Sequence, residues 1–281
     1  MSPTQTHLKT TYLIKRSLEL DYQLTGIQRL KKNEIIDFIF KKYSLIILGL
    51  LSKVSFHHPG KATVFGYQYW YPDKNGLALL QSIYVDNAFL ANYCLHPNVV
   101  VDVGANTGQF NFFCKHYLDA KRVYSFQPIR DSFKILDINT NSKNVFPYAI
   151  LPTSDATFFV PDKLNLMASA IKLGQTLRTE KITAQKLDSV KEIAQEQKID
   201  LFKIDTEGSE LDVLKTATRT LRKTKHLLIE CSLSRPNLGN LTQVANFLYN
   251  LNHFEIVYIG RKYLSEKGQV DAVDVLFSSA L

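Results

Sequence analysis

The chain has 281 residues, of which 45% are hydrophobic, and this is enough to bury one α/β core together with a modest additional segment. Three cysteines, widely spaced and odd in number, exclude a disulfide framework and a cysteine-rich zinc site. The longest apolar run, residues 45–51, is far shorter than the roughly 20 residues that span a bilayer, and residues 1–30 lack the features of a signal peptide. We therefore expect a cytoplasmic protein with reduced thiols.

Residues 1–62 are predicted to form a basic helical extension. Residues 1–60 carry nine Lys and Arg against four Asp and Glu, which gives +5 of the total net charge of +8. Apolar positions at helical spacing predict two or three helices over residues 9–53. These helices could pack on the domain that follows, with solvated lysines, or dock on an anionic membrane surface or an acidic protein. We favour packing, because helix faces that pack on a domain are commoner than membrane anchors. Docking on a membrane would place the protein at the membrane periphery.

The pattern changes to strands after residue 62, where we place the domain boundary. Apolar and aromatic residues from Val64 to Tyr71 predict a strand or hairpin that ends in a turn at residues 72–76. From Asn98 onward, short β-branched runs alternate with helical stretches, which is typical of βαβ units in a parallel sheet. About seven strands are expected, over residues 99–103, 122–126, 145–150, 200–205, 226–231, 254–259 and 272–277. Residues 63–281 are therefore predicted to form an α/β domain.

A glycine-containing loop follows the first strand of this domain. Asp102 lies near the end of a run of valines, and Gly104 and Gly108 lie in the turn to an amphipathic helix. An open α/β sheet turns around a nucleotide-like ligand at this place, although a tight turn without a ligand is the other interpretation. A dinucleotide-binding fingerprint would need glycines where Asn106 and Gln109 stand, and no G-x-x-x-x-G-K-[ST] phosphate loop occurs. NAD and nucleoside triphosphates are therefore disfavoured.

Three segments of the chain together carry a family resemblance. They are Val101-Asp102-Val103-Gly104-Ala105-Asn106-Thr107-Gly108-Gln109-Phe110, Ser125-Phe126-Gln127-Pro128 and Lys203-Ile204-Asp205-Thr206-Glu207-Gly208-Ser209-Glu210-Leu211-Asp212-Val213-Leu214, with Leu187-Asp188-Ser189 and Leu228-Ile229-Glu230 as further landmarks. In order and spacing they resemble the FkbM family of S-adenosylmethionine (SAM)-dependent methyltransferases. The resemblance implies a Rossmann-like class I methyltransferase fold, with a mostly parallel seven-stranded sheet and helices on both faces. It also implies methyl transfer, commonly to an oxygen of a sugar or another small metabolite.

The resemblance also implies a set of cofactor-binding residues. They are Asp102, Gly104, Asn106, Gly108, Gln127, Ala149 and Asp205. Asp102, near the strand end, can bond the amino-acid end of SAM or help to shape its loop. Gln127 departs from the family pattern, which usually has Glu-Pro where this chain has Gln127-Pro128. A carboxylate accepts ribose hydroxyls more strongly than a neutral amide does, so this departure affects the expected cofactor affinity.

The catalytic candidates are Asp205 and Glu207, which follow a predicted strand at the edge of the sheet where reacting groups lie. A carboxylate there can orient an acceptor hydroxyl or take its proton as the methyl group transfers. Both side chains could instead cap the next helix, since carboxylates are common at helix starts. Glu230 ends near the same edge, and a buried, paired group is the other interpretation of this residue. The seven histidines lack metal-binding spacing, so no metal site is expected.

The expected acceptor is a small molecule or a glycan. A nucleic-acid methyltransferase is the second hypothesis, which only the positive charge favours, because no Asn/Asp-Pro-Pro-Tyr block for a flipped base occurs. That charge also lies mainly outside the catalytic region. A SAM-binding module without turnover is the third hypothesis, and Gln127 is its only sequence hint.

Overall fold

A computed structural model describes residues 15–51, 60–72, 76–160, 178–233, 239–264 and 268–279. The chain divides into two compact units, Met1–Ala88 and Phe89–Leu281. This division lies later in the chain than the change of sequence pattern near residue 62, and the assignment of residues 63–281 to one catalytic domain stays a prediction. The turn predicted at residues 72–76 lies partly outside the described residues.

Three helices and one hairpin form the described part of the first unit. They are α1 over residues 15–25, α2 Lys32–Leu51, β1 Gly60–Val64, β2 Tyr67–Tyr71 and α3 Gly76–Asn87. β1 and β2 pair antiparallel, with Val64 opposite Tyr67. Phe65 and Gly66, the two residues between them, both have positive φ, as a tight hairpin turn requires. Phe65 stacks on Phe38 of α2 with ring centroids 5.2 Å apart, so the turn packs on this helix.

A buried polar network joins the three helices. The Lys42 ammonium of α2 donates to Ser17 Oγ at 3.1 Å, to Gln81 Oε1 at 3.1 Å and to Asp21 Oδ1. Gln81 Nε2 donates to Asp21 Oδ1 at 2.9 Å, and the Tyr43 hydroxyl donates to Asp21 Oδ2 at 2.6 Å. Burial lowers the pKa of Lys42, and Asp21 opposes this shift. The expectation of solvated lysines is therefore wrong for Lys42, whose charge is buried and paired.

The face of α2 opposite Lys42 exposes apolar side chains. Ile36, Phe40 and Ile47 recur at helical spacing and are each more than half exposed. None of the helices in the described ranges is long and apolar enough to cross a membrane. Docking through residues 1–60 stays a prediction.

The second unit alternates strands and helices. A 3-10 helix, Ala88–Asn92, comes before its first strand. In chain order the elements are β3 Val99–Val103, α4 Gln109–His116, β4 Arg122–Phe126, α5 Arg130–Thr140, β5 Val145–Phe146, β6 Ala149–Ile150, β7 Asp155–Val160, β8 Arg178–Gln185, a 3-10 helix Leu187–Ser189, α6 Lys191–Gln195, β9 Ile199–Ile204, α7 Glu210–Thr216, α8 Thr218–Leu221, β10 Thr224–Ser232, α9 Leu241–Asn252, β11 Glu255–Leu264 and β12 Val270–Ser278.

A seven-stranded sheet forms the centre of this unit, in the order β11-β12-β10-β9-β3-β4-β5. Neighbours from β5 to β10 run parallel, while β12 is antiparallel to both β10 and β11. The predicted α/β fold with a mostly parallel seven-stranded sheet is therefore confirmed. All five residues of β3 are buried, as expected for a central strand covered on both faces, and this explains its run of valines.

The strand order reverses next to β3. The chain passes from β3 to β4 on one side and later returns to the other side with β9. This reversal leaves a crevice at the carboxyl ends of β3 and β9, where open α/β sheets bind their ligands. We call it the β3/β9 crevice.

The two faces of the large sheet differ in polarity, because side chains alternate along each strand. One face is apolar, and its buried residues include Val101, Val103, Phe202, Ile204 and Ile229. The other face is polar near the carboxyl ends. There Asp102 of β3 pairs in register with Ser125 of β4 and Lys203 of β9.

The single strand predicted over residues 145–150 is wrong, because two strands of different sheets occupy this range. β5 pairs with β4 in the large sheet, whereas β6 pairs with β8 in a three-stranded sheet of order β6-β8-β7. Pro147 lies between β5 and β6 and has no N–H to donate, so it interrupts the ladder. The small sheet was not expected from the sequence. It has its own core, which includes Ala149, Phe158 and Ile182.

Lys42→Ala is expected to destabilise the first unit by about 3 kcal/mol or more, because it leaves the Asp21 carboxylate without its buried counter-ion. Trp70 is the single tryptophan and lies on β2, so its fluorescence during urea unfolding reports on this unit. Lys41→Ala is the control, since the Lys41–Asp37 pair is partly exposed and such pairs contribute less than about 1 kcal/mol. Equal, small losses for both variants would show that the network adds little stability.

Candidate active site

The loop after β3 has left-handed backbone at three positions. Gly104, Asn106 and Gly108 have φ values of +88°, +52° and +91°. The N–H groups of Gly104 and Ala105 both donate to the Phe126 carbonyl, at 3.1 and 3.0 Å, which ties the loop to the end of β4. Gly108 then precedes α4 as its N-cap residue. The expected order of strand, glycine turn and helix is therefore present.

Gly104 lies against the residue that follows β9. A Cβ atom on Gly104 would stand 1.8 Å from the Asp205 carbonyl oxygen, far inside van der Waals contact. The Asp205 N–H donates to the Val103 carbonyl at 3.0 Å and extends the pairing of β3 with β9. Glycine at this position is thus required by the approach of two strand ends. A substitution of Gly104 would disturb the fold before it tested a cofactor contact.

Asp102 is fully buried, and its two carboxylate oxygens have no hydrogen-bond partner within the described ranges. Burial raises the pKa of Asp102 to about 6, Lys203 opposes this shift and Asp205 adds to it. The side-chain oxygen of Asn106 is likewise buried without a partner there. Since buried polar atoms in native proteins nearly always have partners, these three oxygens indicate a polar ligand at the β3/β9 crevice.

Gln127 directly follows β4 and is buried. Its amide oxygen accepts a hydrogen bond from the Ile129 N–H at 3.1 Å, so the side chain bridges its own loop. The sequence-based expectation assigned this oxygen to a ribose hydroxyl. Because the amide oxygen bonds the loop, the NH2 group of Gln127 is the part that could contact a ligand. A role of Gln127 in cofactor binding stays a prediction.

Lys203 is a residue of the crevice that the sequence analysis did not predict. Its ammonium donates to Asp205 Oδ2 at 2.8 Å and lies 5.5 Å from the centroid of the Phe110 ring. Burial alone would lower the pKa of Lys203, but Asp205 and Asp102 raise it above its ordinary value. A lysine within a strand that is otherwise mostly apolar was the signal that could have found it, because lysine is almost never buried without a partner.

The loop between β9 and α7 is held by Glu210, which the sequence analysis also did not single out. Glu210 Oε1 accepts from the Thr206 N–H at 3.0 Å, the Thr206 hydroxyl at 3.1 Å and the Gly208 N–H at 2.9 Å. Burial raises the pKa of Glu210, and these backbone donors oppose the shift. Glu210 thus holds the loop before α7, in which Glu207 takes a left-handed backbone with φ +54°.

Two further carboxylates continue the polar face beyond β9. Ile204 of β9 pairs with Ile229 of β10, so Asp205 comes next to Glu230. Glu230 pairs in register with Asp274 of β12. The Tyr263 hydroxyl lies 3.4 Å from each carboxylate oxygen of Asp274. Asp205, Glu230 and Asp274 therefore form one row across three neighbouring strands.

Ala149 lies apart from this polar row. Its side chain is buried in the core of the small sheet, so only its backbone could meet a ligand, and its cofactor-binding role stays a prediction. No group of three or more His, Cys, Asp or Glu side chains within the described ranges could hold a metal ion.

The sequence of the chain matches the FkbM methyltransferase domain over residues 102–258, which is more than half of its length. It belongs to the FkbM methyltransferase family. The chain is 24% identical over 161 residues to Methyltransferase 1 of Beauveria bassiana (strain ARSEF 2860), a region that makes up 48% of this chain and 64% of that protein. It thus spans less than two thirds of the length of this relative.

Among solved structures, this FkbM protein is similar to two at low sequence identity. TrmK of M. capricolum, in complex with S-adenosyl-homocysteine (SAH), is 12% identical with a TM-score of 0.43, covering 72% of this chain and 68% of that chain. TYW2 of M. jannaschii, in complex with AdoMet, is 13% identical with a TM-score of 0.43, covering 79% of this chain and 86% of that chain.

SAM is the methyl donor that membership of the FkbM family implies, and the residues at the β3/β9 crevice fit it. Asp102 offers two buried oxygens without protein partners to the ammonium group of SAM, and Asn106 offers a third acceptor. Gln127, directly after β4, stands where sheets of this type meet the ribose. When bound, SAM supplies an electrophilic methyl group on a sulfonium, and these residues would orient it.

We expect Gln127→Glu to tighten SAM binding of the FkbM domain by about 1 kcal/mol, roughly fivefold. One carboxylate oxygen keeps the bond from the Ile129 N–H, and the other replaces the NH2 and accepts a ribose hydroxyl through a charge-assisted bond. Titration calorimetry measures the change. Gln195→Glu is the control, because it adds the same charge at an exposed position at the end of α6. Equal or weaker SAM affinity in a folded Gln127→Glu protein would contradict this account.

Proposed function

We propose that this FkbM methyltransferase transfers the methyl group of SAM to a hydroxyl oxygen of a sugar or another small molecule. The row of carboxylates beside the β3/β9 crevice carries this proposal. A hydroxyl oxygen is a weak nucleophile until its proton is removed, and a carboxylate within hydrogen-bond reach can remove it. The chain would thus supply proton removal at the position where the methyl donor is held.

Asp205 is the residue best placed to receive the acceptor hydroxyl. Its side chain is 31% exposed, and Lys203 binds Oδ2, so Oδ1 is the oxygen that this ion pair leaves for an acceptor. Its backbone contacts Gly104 of the predicted cofactor loop, which would bring an acceptor at Asp205 close to the methyl group. Glu207, two residues further along, is the second candidate for contact with the acceptor. In the transfer an O–C bond forms, the S–C bond breaks with its electron pair left on sulfur, and SAH is released.

The charge distribution favours a small acceptor over a nucleic acid. The net charge is +8 for the chain and +5 for residues 1–60, so residues 61–281 carry the remaining +3. Binding of a phosphate backbone depends on exposed Lys and Arg. The edge of the crevice instead presents the carboxylates of Asp205 and Asp274, while Lys203 is buried and paired. A polyanion would therefore be repelled at this edge.

Incubation with methyl-labelled SAM and fractionated cell extract tests the proposal. We expect a labelled small molecule or glycan with the methyl group on oxygen, and Asp205→Asn should lower turnover about 100-fold or more. Asp212→Asn is the control, because Asp212 is half exposed and pairs with Lys215 on α7.

Label in nucleic acid would contradict the small-molecule acceptor. SAM binding with no labelled product from any fraction would contradict turnover. If Asp205→Asn keeps turnover within about twofold, Asp205 does not receive the acceptor hydroxyl and Glu207 has to be tested in the same way.

A further inference from the structure

Glu230 differs from its neighbours in the carboxylate row, because its side chain makes no hydrogen bond or ion pair within the described ranges. Asp205 is bonded to Lys203, and Glu210 accepts three donors from its own loop. Asp274 lies beside the Tyr263 hydroxyl. Glu230 is thus the carboxylate of this edge that the surrounding protein does not engage by hydrogen bonds.

The strand register directs Glu230 toward the β3/β9 crevice. Asp205 lies between Gly104 on one side and Glu230 on the other. Neighbouring strands are about 4.8 Å apart, so Glu230 stands roughly 10 Å from the Gly104 backbone and its side chain extends from the same face. A group bound over Asp205 would therefore be within reach of Glu230.

A second, independent observation indicates that a cation binds on this face. Asp102 is fully buried two residues before Gly104, and neither of its oxygens has a protein partner within the described ranges. A buried carboxylate without a partner is costly, and a bound ammonium or sulfonium group would offset that cost. Asp102 and Glu230 thus lie on opposite sides of Asp205, at the two sides of the crevice.

The surroundings of Glu230 favour its neutral form in the free protein. Burial, followed by the negative charges of Asp205, Glu207, Asp274 and Glu210, raises the pKa of Glu230 to about 9. The ionisable groups around it are Lys203 of β9, three carboxylates after β9, Asp274 of β12, and Tyr263 with Arg261 of β11; the three carboxylates are Asp205, Glu207 and Glu210. Among them Lys203 is bonded to Asp205 and not to Glu230.

We propose that Glu230 faces the sulfonium of bound SAM, gives up its proton when SAM binds, and then accepts the proton of the attacking hydroxyl. The second part rests on the proposed function. The acceptor O–H bond breaks, its proton passes to the Glu230 carboxylate, the oxygen forms the bond to the methyl carbon, and the S–C electron pair stays on sulfur. After SAH departs, Glu230 keeps this proton, which is its state in the free protein, and releases it to water when the next SAM binds. Asp205, held by Lys203, positions the hydroxyl between Glu230 and the methyl group.

A pH dependence of SAM binding follows from this assignment. A nearby positive charge favours the ionised carboxylate and lowers the pKa of Glu230 in the complex. Because the free protein then holds one proton more than the complex, SAM affinity rises with pH until Glu230 ionises in the free protein, near pH 9. Ionisation of Glu230 in the complex near neutral pH needs a fall of about two pKa units, which corresponds to an increase of up to about a hundredfold in SAM affinity.

Titration calorimetry with SAM and SAH at pH 7 and pH 9 tests the proposal without an acceptor. SAH shares every ionisable group of SAM but has a neutral thioether in place of the sulfonium, so the ratio of the two affinities isolates the response to that charge. In the unmodified protein we expect this ratio to shift toward SAM by at least about tenfold between the two pH values. In Glu230→Gln the ratio should not change with pH. Glu255→Gln, at an exposed position on β11, is the matched control and should behave as the unmodified protein.

A ratio independent of pH in the unmodified protein would overturn the proposal, and this result needs no variant to fold. The same shift in Glu230→Gln would overturn the assignment to Glu230. The outcome is separable from the test of the acceptor: a labelled hydroxyl product together with a constant ratio refutes the role of Glu230 alone. A shifting ratio with label found only in nucleic acid refutes the acceptor class alone.

Discussion

The buried ammonium of Lys203 allows several carboxylates to share one face of the sheet. Lys203 pairs in register with Asp102 of β3, and its Nζ donates to Asp205 Oδ2. Carboxylates brought together in a medium of low dielectric repel each other or take up protons, and a fixed positive charge between them reduces both costs. The contact of Gly104 with the Asp205 carbonyl sets how closely β3 and β9 approach. The Lys203 ammonium and Gly104 together fix the carboxyl ends of β3 and β9, from which the predicted site residues extend.

The same strands build the core and the candidate site, because alternate residues point to opposite faces. Val101 and Val103 face the main core, whereas Asp102 between them faces the polar side, and Phe202, Lys203 and Ile204 alternate in the same way. A slip of the register by one residue would place carboxylates in the core and valines at the crevice. The valine-rich core therefore fixes the register that aligns the polar row, and stability and site geometry depend on one pattern.

Sequence reasoning found what local patterns encode. The valine run predicts a buried central strand, and the spacing of Gly104 and Gly108 predicts the turn into a helix, because both depend only on neighbouring residues. Pairs that form across strands were not found. The contact of Lys203 with Asp205 and the alignment of Glu230 with Asp274 depend on register, which a single sequence does not display.

Short elements were also difficult to predict. Pro147 splits one apolar run between two sheets, although the run itself satisfies the pattern of one strand. The carboxylate that holds the β9 to α7 loop is Glu210, while Asp205 and Glu207 precede it in the same acidic segment. Composition and spacing treat these carboxylates alike, and only the backbone path distinguishes them.

A crystal structure with SAH bound would test the central claim most directly. This claim is that the unpartnered carboxylate of Asp102 and the carboxylate row flank one cofactor at the β3/β9 crevice. The account predicts the SAH ammonium about 3 Å from Asp102 and the sulfur on the side of Asp205 and Glu230. SAH bound elsewhere, with Asp102 still lacking a partner, would contradict it.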